Sequence, residues 1–189
     1  MTVEVQPGSF HPGHGLFRHA VAVSRDAIYW GDVAAARRPV AGEPNPGQRE
    51  LDACVATVLF THAAIESEWH WRHQATGTEP TRGWPGSFDR GLAAIAAHQG
   101  LPDPGTTAAE LLDHLTVLGA WRNFFQHGDH QARARLAAHK LSLDGLDASY
   151  ATAVITNADA IFARIAEATG GQPIGPSDTL WTGFPLTDA

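Results

Sequence analysis

Apolar residues recur along this chain at intervals of three and four, the period of helices that bury one face. Residues 19–37 carry Ala20, Val23, Ala27, Ile28 and Ala34 in that spacing, and Arg37-Arg38-Pro39 closes the run. Residues 39–47 hold three prolines, which a helix interior does not tolerate, so they form an exposed linker. A longer helix is predicted over 48–74, with Leu51, Val55, Val58, Leu59, Ile65 and Trp69 along one side. At about 1.5 Å per residue it is about 40 Å long. A Gly/Pro loop with Arg82 and Trp84 fills 75–87. Phe88 to Gln99 is a short helix on Leu92, Ile95 and Ala96, stopped by Gly100 and Pro102.

The next helix opens on Thr107-Ala108-Ala109-Glu110. This is a capping-box sequence, in which hydroxyl and carboxylate each satisfy an orphan backbone N–H. It runs to Gln126 or His127, with Gly119 inside it as a point of close helix contact, within or between subunits. The last helix spans Leu146 to Thr169, with Ala153, Val154, Ala158, Ile161, Ile165 and Ala168 inward, and Gly170-Gly171 end it. The expected fold is all-α, a helical bundle of about five helices forming one domain over 1–189. Its core lies over about 19–169, between a Pro/Gly-rich N-terminal segment and a C-terminal tail over 170–189. Val3 and Val5 suggest a short edge strand in the first segment, and Trp181 and Phe184 suggest that the tail docks.

Composition narrows the function classes. The 189 residues carry a formal charge of −7, which argues against broad binding of duplex nucleic acid. One cysteine, Cys54, permits no intramolecular disulfide and suits a reducing compartment. No apolar run reaches the roughly 20 residues that span a bilayer. The N-terminus has neither a basic start nor an apolar signal core. The expectation is a cytoplasmic protein without a membrane partner. There is no phosphate-binding glycine loop, dinucleotide fingerprint or nucleophile elbow, so no cofactor is expected.

Arg122 breaks the pattern. Leu111, Leu115, Leu118 and Phe125 fall on one stripe of their helix, and Arg122 falls within it. A guanidinium against a core needs a partner, a solvent pocket or an interface. Asn123 and His127 are four apart and share a face that the long Arg122 side chain can reach. His127 precedes Gly128, so it sits in the last turn at the negative end of the helix dipole. On the preceding long helix, His62 shares the apolar stripe, with Glu66 one turn on. Either His62 is a core histidine satisfied by that carboxylate, or one of the two faces Arg122 and aims it.

This Arg122-Asn123-x-x-x-His127 arrangement, closing a long amphipathic helix, resembles the signature of the HEPN superfamily, over roughly residues 47–169. The resemblance implies a small helical domain acting as a metal-independent endoribonuclease through attack of the RNA 2′-hydroxyl. It implies Arg122 as phosphate stabiliser, His127 as acid/base and Asn123 as an orienting residue. Glu66, His62, His130 and Arg133 are the candidate substrate-binding residues. The implied partners are RNA, a second copy of the chain, and an antitoxin or regulatory protein if it is a toxin or defence effector. In the branch regulated through a tyrosine two residues beyond the motif histidine, that position is Asp129 here, so that regulation is not inferred.

Residues 129–140 carry His130, Arg133, Arg135, His139 and Lys140 and form the most basic segment. They read either as a solvated helical face or as a phosphate-contacting rim beside His127. Two rival readings remain. One is a non-catalytic module of the same kind that binds RNA or a protein. The other is a zinc, nickel or iron site built from His62, Glu66, His70 and His73 with His127 and His130. Their spacing matches no specific zinc signature, so no metal ligands are assigned.

Overall fold

The structure, a computed structural model, describes residues 12–36, 45–78 and 86–171. Six α-helices account for most of them: α1 (Pro12–Ala35), α2 (Pro46–Thr76), α3 (Phe88–Gln99), α4 (Ala109–His127), α5 (His130–Ala138) and α6 (Ala148–Thr169). A short 3₁₀ turn at Leu143–Gly145 precedes α6, and there is no strand among the described residues. The all-α bundle predicted from periodicity is what forms. Val3, Val5, His11, Arg82, Trp84 and the tail aromatics lie outside the described residues.

α2 is the axis of the bundle. It packs along α1, which runs antiparallel to it: Gly31 meets Glu50 near one end, and His19 lies beside Phe60 further along. α6 packs against α1, α2, α3 and α4, and α5 rests on α4. The core they enclose includes Phe17, Val58, Ile65, Trp69, Leu92, Leu115, Trp121, Ile161 and Phe162. Phe17 of α1 meets Phe162 of α6 edge to face at 4.8 Å, and Trp69 of α2 lies 5.0 Å from Phe88 of α3. Such aromatic pairs add specific geometry to apolar burial. Two residues predicted inward are not: Ile28 is 42% exposed and Ala153 is exposed, because α1 and α6 each turn that edge to solvent.

The helix ends show where local signals hold and where they yield. Asn45 caps α2, its side-chain oxygen accepting from Gln48 N–H at 3.1 Å, and Pro46 occupies the first turn, where its missing N–H costs nothing. Asp129 caps α5 and Asp147 caps α6 in the same manner. The capping box at the start of α4 does not form. Ala108 is the N-cap and carries no side-chain bond, while Thr107 Oγ1 accepts from Arg164 of α6 at 3.4 Å and Thr107 N–H donates to Asp89 of α3 at 3.1 Å. Long-range partners have taken the hydroxyl that the local motif needs. The segment 129–140, read as a charged face, is a helix of its own, which raises the count from about five to six.

Two backbone positions yield stability tests. A Cβ at Gly91 would stand 2.3 Å from Cζ2 and Cη2 of Trp69, so Gly91→Ala is expected to destabilise the fold by about 1–3 kcal/mol. Lys140 follows α5 at φ +58, where α2, α3, α4 and α6 each place a glycine. Lys140→Gly is therefore expected to stabilise by about 1 kcal/mol. Urea midpoints at unchanged slope measure both; a neutral Gly91→Ala would contradict the packing described here.

Candidate functional site

α2 and α4 cross with a polar group between them. Arg122 Nη2 lies 3.4 Å from Glu66 Oε1, and Arg122 Nη1 donates to Asn123 Oδ1 at 2.8 Å. Glu66 Oε2 in turn lies 3.8 Å from His62 Nδ1, one turn earlier on α2. Of the two α2 residues considered as partners for Arg122, Glu66 makes the contact and His62 stands behind it. The arginine and glutamate side chains are 29% and 37% exposed, so the pair sits at the rim of the helix seam, open to solvent. The guanidinium has five N–H bonds, and these two contacts leave others to serve a ligand.

His62 is buried where α2 faces α4. A Cβ at Gly119 would lie 3.9 Å from His62 Nε2, so the close contact suggested by Gly119 is with α2 of the same chain. Burial pushes the His62 imidazole below its ordinary value; Glu66 works against that shift and Arg122 with it. A neutral imidazole is what a buried ring between a cation and a glycine can sustain.

The other predicted residues stand apart. His127 is the last residue of α4, exposed, and followed by Gly128 at φ +62, whose N–H bonds Phe124 O. Asn123 spends its oxygen on Arg122 instead of on His127. His130 and Arg133 are exposed on α5, whose inner face is Ala132 and Leu136. Among the described residues no hydrogen bond or ion pair joins His127, His130 or Arg133 to the Arg122 group. Two of the predicted site's halves thus lie on one helix, the arginine engaged and the histidine free in solvent. No group of three or more His, Cys, Asp or Glu able to hold a metal occurs among the described residues, so the histidines of α2 do not assemble with His127 and His130.

Sequence reasoning passed over His114, Tyr150 and Asp159, and did not foresee how deeply Cys54 is buried. His114 on α4 is mostly buried, with Nδ1 3.3 Å from Asn157 of α6, and burial holds it down at about 4. Tyr150 Oη accepts from Trp121 Nε1 at 3.0 Å, and burial pushes the phenol up to about 12. Asp159 is raised to about 6 by burial. Cys54 is buried and raised to about 12 by burial first and by Asp147 and Glu50 next, so it stays a thiol. The signal for His114 was its position: it falls at the edge of the apolar stripe of α4, four residues before Leu118. No family model, curated protein or solved structure matches this chain.

The three depressed histidines set a pH dependence. His62, His73 and His114 are uncharged in the fold, each chiefly through burial. Below the ordinary value of 6.5 the unfolded chain takes up protons that the folded chain refuses. Stability is therefore full above about pH 6.5 and falls as pH drops towards about 4. Asp159 works in the other direction, favouring the fold at low pH and losing that contribution as pH rises through about 6. With three groups against one, the urea midpoint is expected to fall on acidification from pH 7 to about 4.5. In an NMR titration, Glu66→Gln is expected to lower the His62 pKa further and Arg122→Gln to raise it; the reverse order would contradict the contact network.

Proposed function

We propose that this chain is a metal-independent endoribonuclease of HEPN type that works as a homodimer in the cytoplasm. The supporting observation is the half-exposed Arg122 of the Arg-Asn-x-x-x-His sequence, aimed by a carboxylate from the preceding long helix while keeping donors free. A planar guanidinium suits a phosphate because it donates in pairs. His127, exposed at the end of the same helix, is the residue this reading assigns to proton exchange, since imidazole is the side chain suited to that role near neutral pH.

In this reading the RNA 2′-oxygen attacks the adjacent phosphorus as its proton passes to one imidazole. The P–O5′ bond breaks, and the 5′-oxygen takes a proton from a second imidazole. The products are a 2′,3′-cyclic phosphate and a 5′-hydroxyl. One chain brings one His127, so acid and base together call for a two-fold arrangement of α4 helices, the isologous geometry that a symmetric dimer provides. Arg122 neutralises charge on the crowded phosphate, exchanging Glu66 for phosphate oxygens. His130 and Arg133 on α5 would meet the flanking backbone. A toxin or defence role with a regulatory protein partner belongs to the same reading.

One observation favours a second reading, a non-catalytic module that binds RNA or a protein. Glu66 already neutralises Arg122, and the chain as a whole is acidic at −7. Digestion of mixed RNA in excess chelator separates the two. Cyclic-phosphate termini are expected from the wild type, with a loss of about 100-fold or more in His127→Ala and Arg122→Ala. Equal activity in wild type and His127→Ala would remove the catalytic role. RNA retention without cleavage by the wild type would select the binding module.

A further inference from the structure

A second polar site lies on another face of α4. A cleft of about 280 Å³ opens between α4, the segment after α5, and α6. Its apolar surface comes from Val117, Leu141 and the ring of Tyr150. Its rim carries Glu110 and Asp113, one turn apart on α4. Asp113 Oδ2 lies 3.3 Å from His139 Nδ1, which leaves its second oxygen unused. Glu110 has no hydrogen bond or ion pair with any described residue. Asn157 turns its amide nitrogen to His114 Nδ1, so its carbonyl oxygen is left as an acceptor. His114 Nε2 is buried with no partner among the described residues.

We propose that this cleft binds a guanidinium group, carried either by a small organic cation or by an arginine side chain of a peptide. The lining contains no lysine or arginine, so the two carboxylates and the carbonyl oxygen have no partner there but the His139 ring beside Asp113. A flat cation uses what is offered: carboxylate oxygens for its N–H pairs and an aromatic ring for its face. Anions are disfavoured by the same carboxylates. A metal is disfavoured because, among the described residues, no three ligating side chains come together there. His114, held near 4, adds no opposing charge at neutral pH. The site is independent of the proposed ribonuclease centre and stands or falls alone.

The test is a titration of the full chain at pH 7.5, followed by ¹⁵N-resolved NMR, with butylguanidinium, N-acetyl-arginine amide and the neutral isostere pentanamide. Saturable shifts centred on His114, Val117 and Asn157 are expected for the two cations and not for the amide. The double variant Glu110→Gln/Asp113→Asn, both exposed positions, is expected to weaken cation binding by about tenfold or more. His139→Ala, which removes the internal competitor for Asp113, is expected to tighten it. Tighter binding of the arginine amide identifies a peptide source, and tighter binding of butylguanidinium a free small molecule. Equal shifts with pentanamide, unchanged affinity in the double variant, or no saturation by about 10 mM would overturn the proposal.

Discussion

A guanidinium at the seam of two packed helices is tolerable only with a counter-charge, and Glu66 supplies it to Arg122 across the α2–α4 contact. Both side chains are about a third exposed, so the pair is screened and worth no more than about 1 kcal/mol. Its importance is positional. Asn123 holds one side of the fork, Glu66 the other, and His62 stands behind Glu66 against α4. The group is ordered at small energetic gain.

The same economy recurs where helices end. Glu50 of α2 accepts from Ala148 N–H at 2.9 Å, giving α6 a cap from 98 residues away, and Gly31 of α1 is bare where a Cβ would stand 2.8 Å from that carboxylate. Arg164 of α6 reaches Pro104 O, Gly105 O and Thr107 Oγ1, tying down the approach to α4. Apolar burial sets which faces meet. These few long polar contacts set the register at which they meet, because each leaves an orphan backbone or side-chain group if it slips.

Much of the bundle was legible from periodicity and punctuation. Leu92, Ile95 and Ala96 are all buried, Gly100 ends α3, and Gly128 ends α4 after His127. The α5 helix was less legible because it is short and shows only Ala132 and Leu136 inward among charged residues. Its clear signal was Asp129, a capping residue that reads as a mere departure from a motif when only the motif is considered. The capping box failed because Thr107 has partners in α3 and α6 that no local window contains. At the site, the cost of an unpaired charge called for a partner for Arg122, with His62 and Glu66 both candidates on α2; that Glu66 makes the contact needed the helix crossing itself. The cleft around His114 was not legible, since Asn157, Tyr150 and His139 converge on it from three separate stretches of chain.

α4 carries acid at its start and base at its end. Glu110 and Asp113 stand near the N-terminus, and Arg122 and His127 near the C-terminus. The helix dipole alone favours that order, so the segregation of charge is not in itself a sign of function. What the dipole does not account for is the chemistry off the axis. A surface carboxylate satisfies the dipole without a mostly buried imidazole beside it whose Nε2 has no partner among the described residues. A terminal cation satisfies it without a second helix supplying Glu66 and, behind it, the buried His62. His114 and Arg122 are eight residues apart, about 12 Å along the axis and about 80° around it. They therefore face different neighbours, and one helix can present an acidic cleft and a cationic fork as separate surfaces. If both proposals hold, the two surfaces take ligands of opposite charge, and occupancy of one does not by itself displace a ligand from the other.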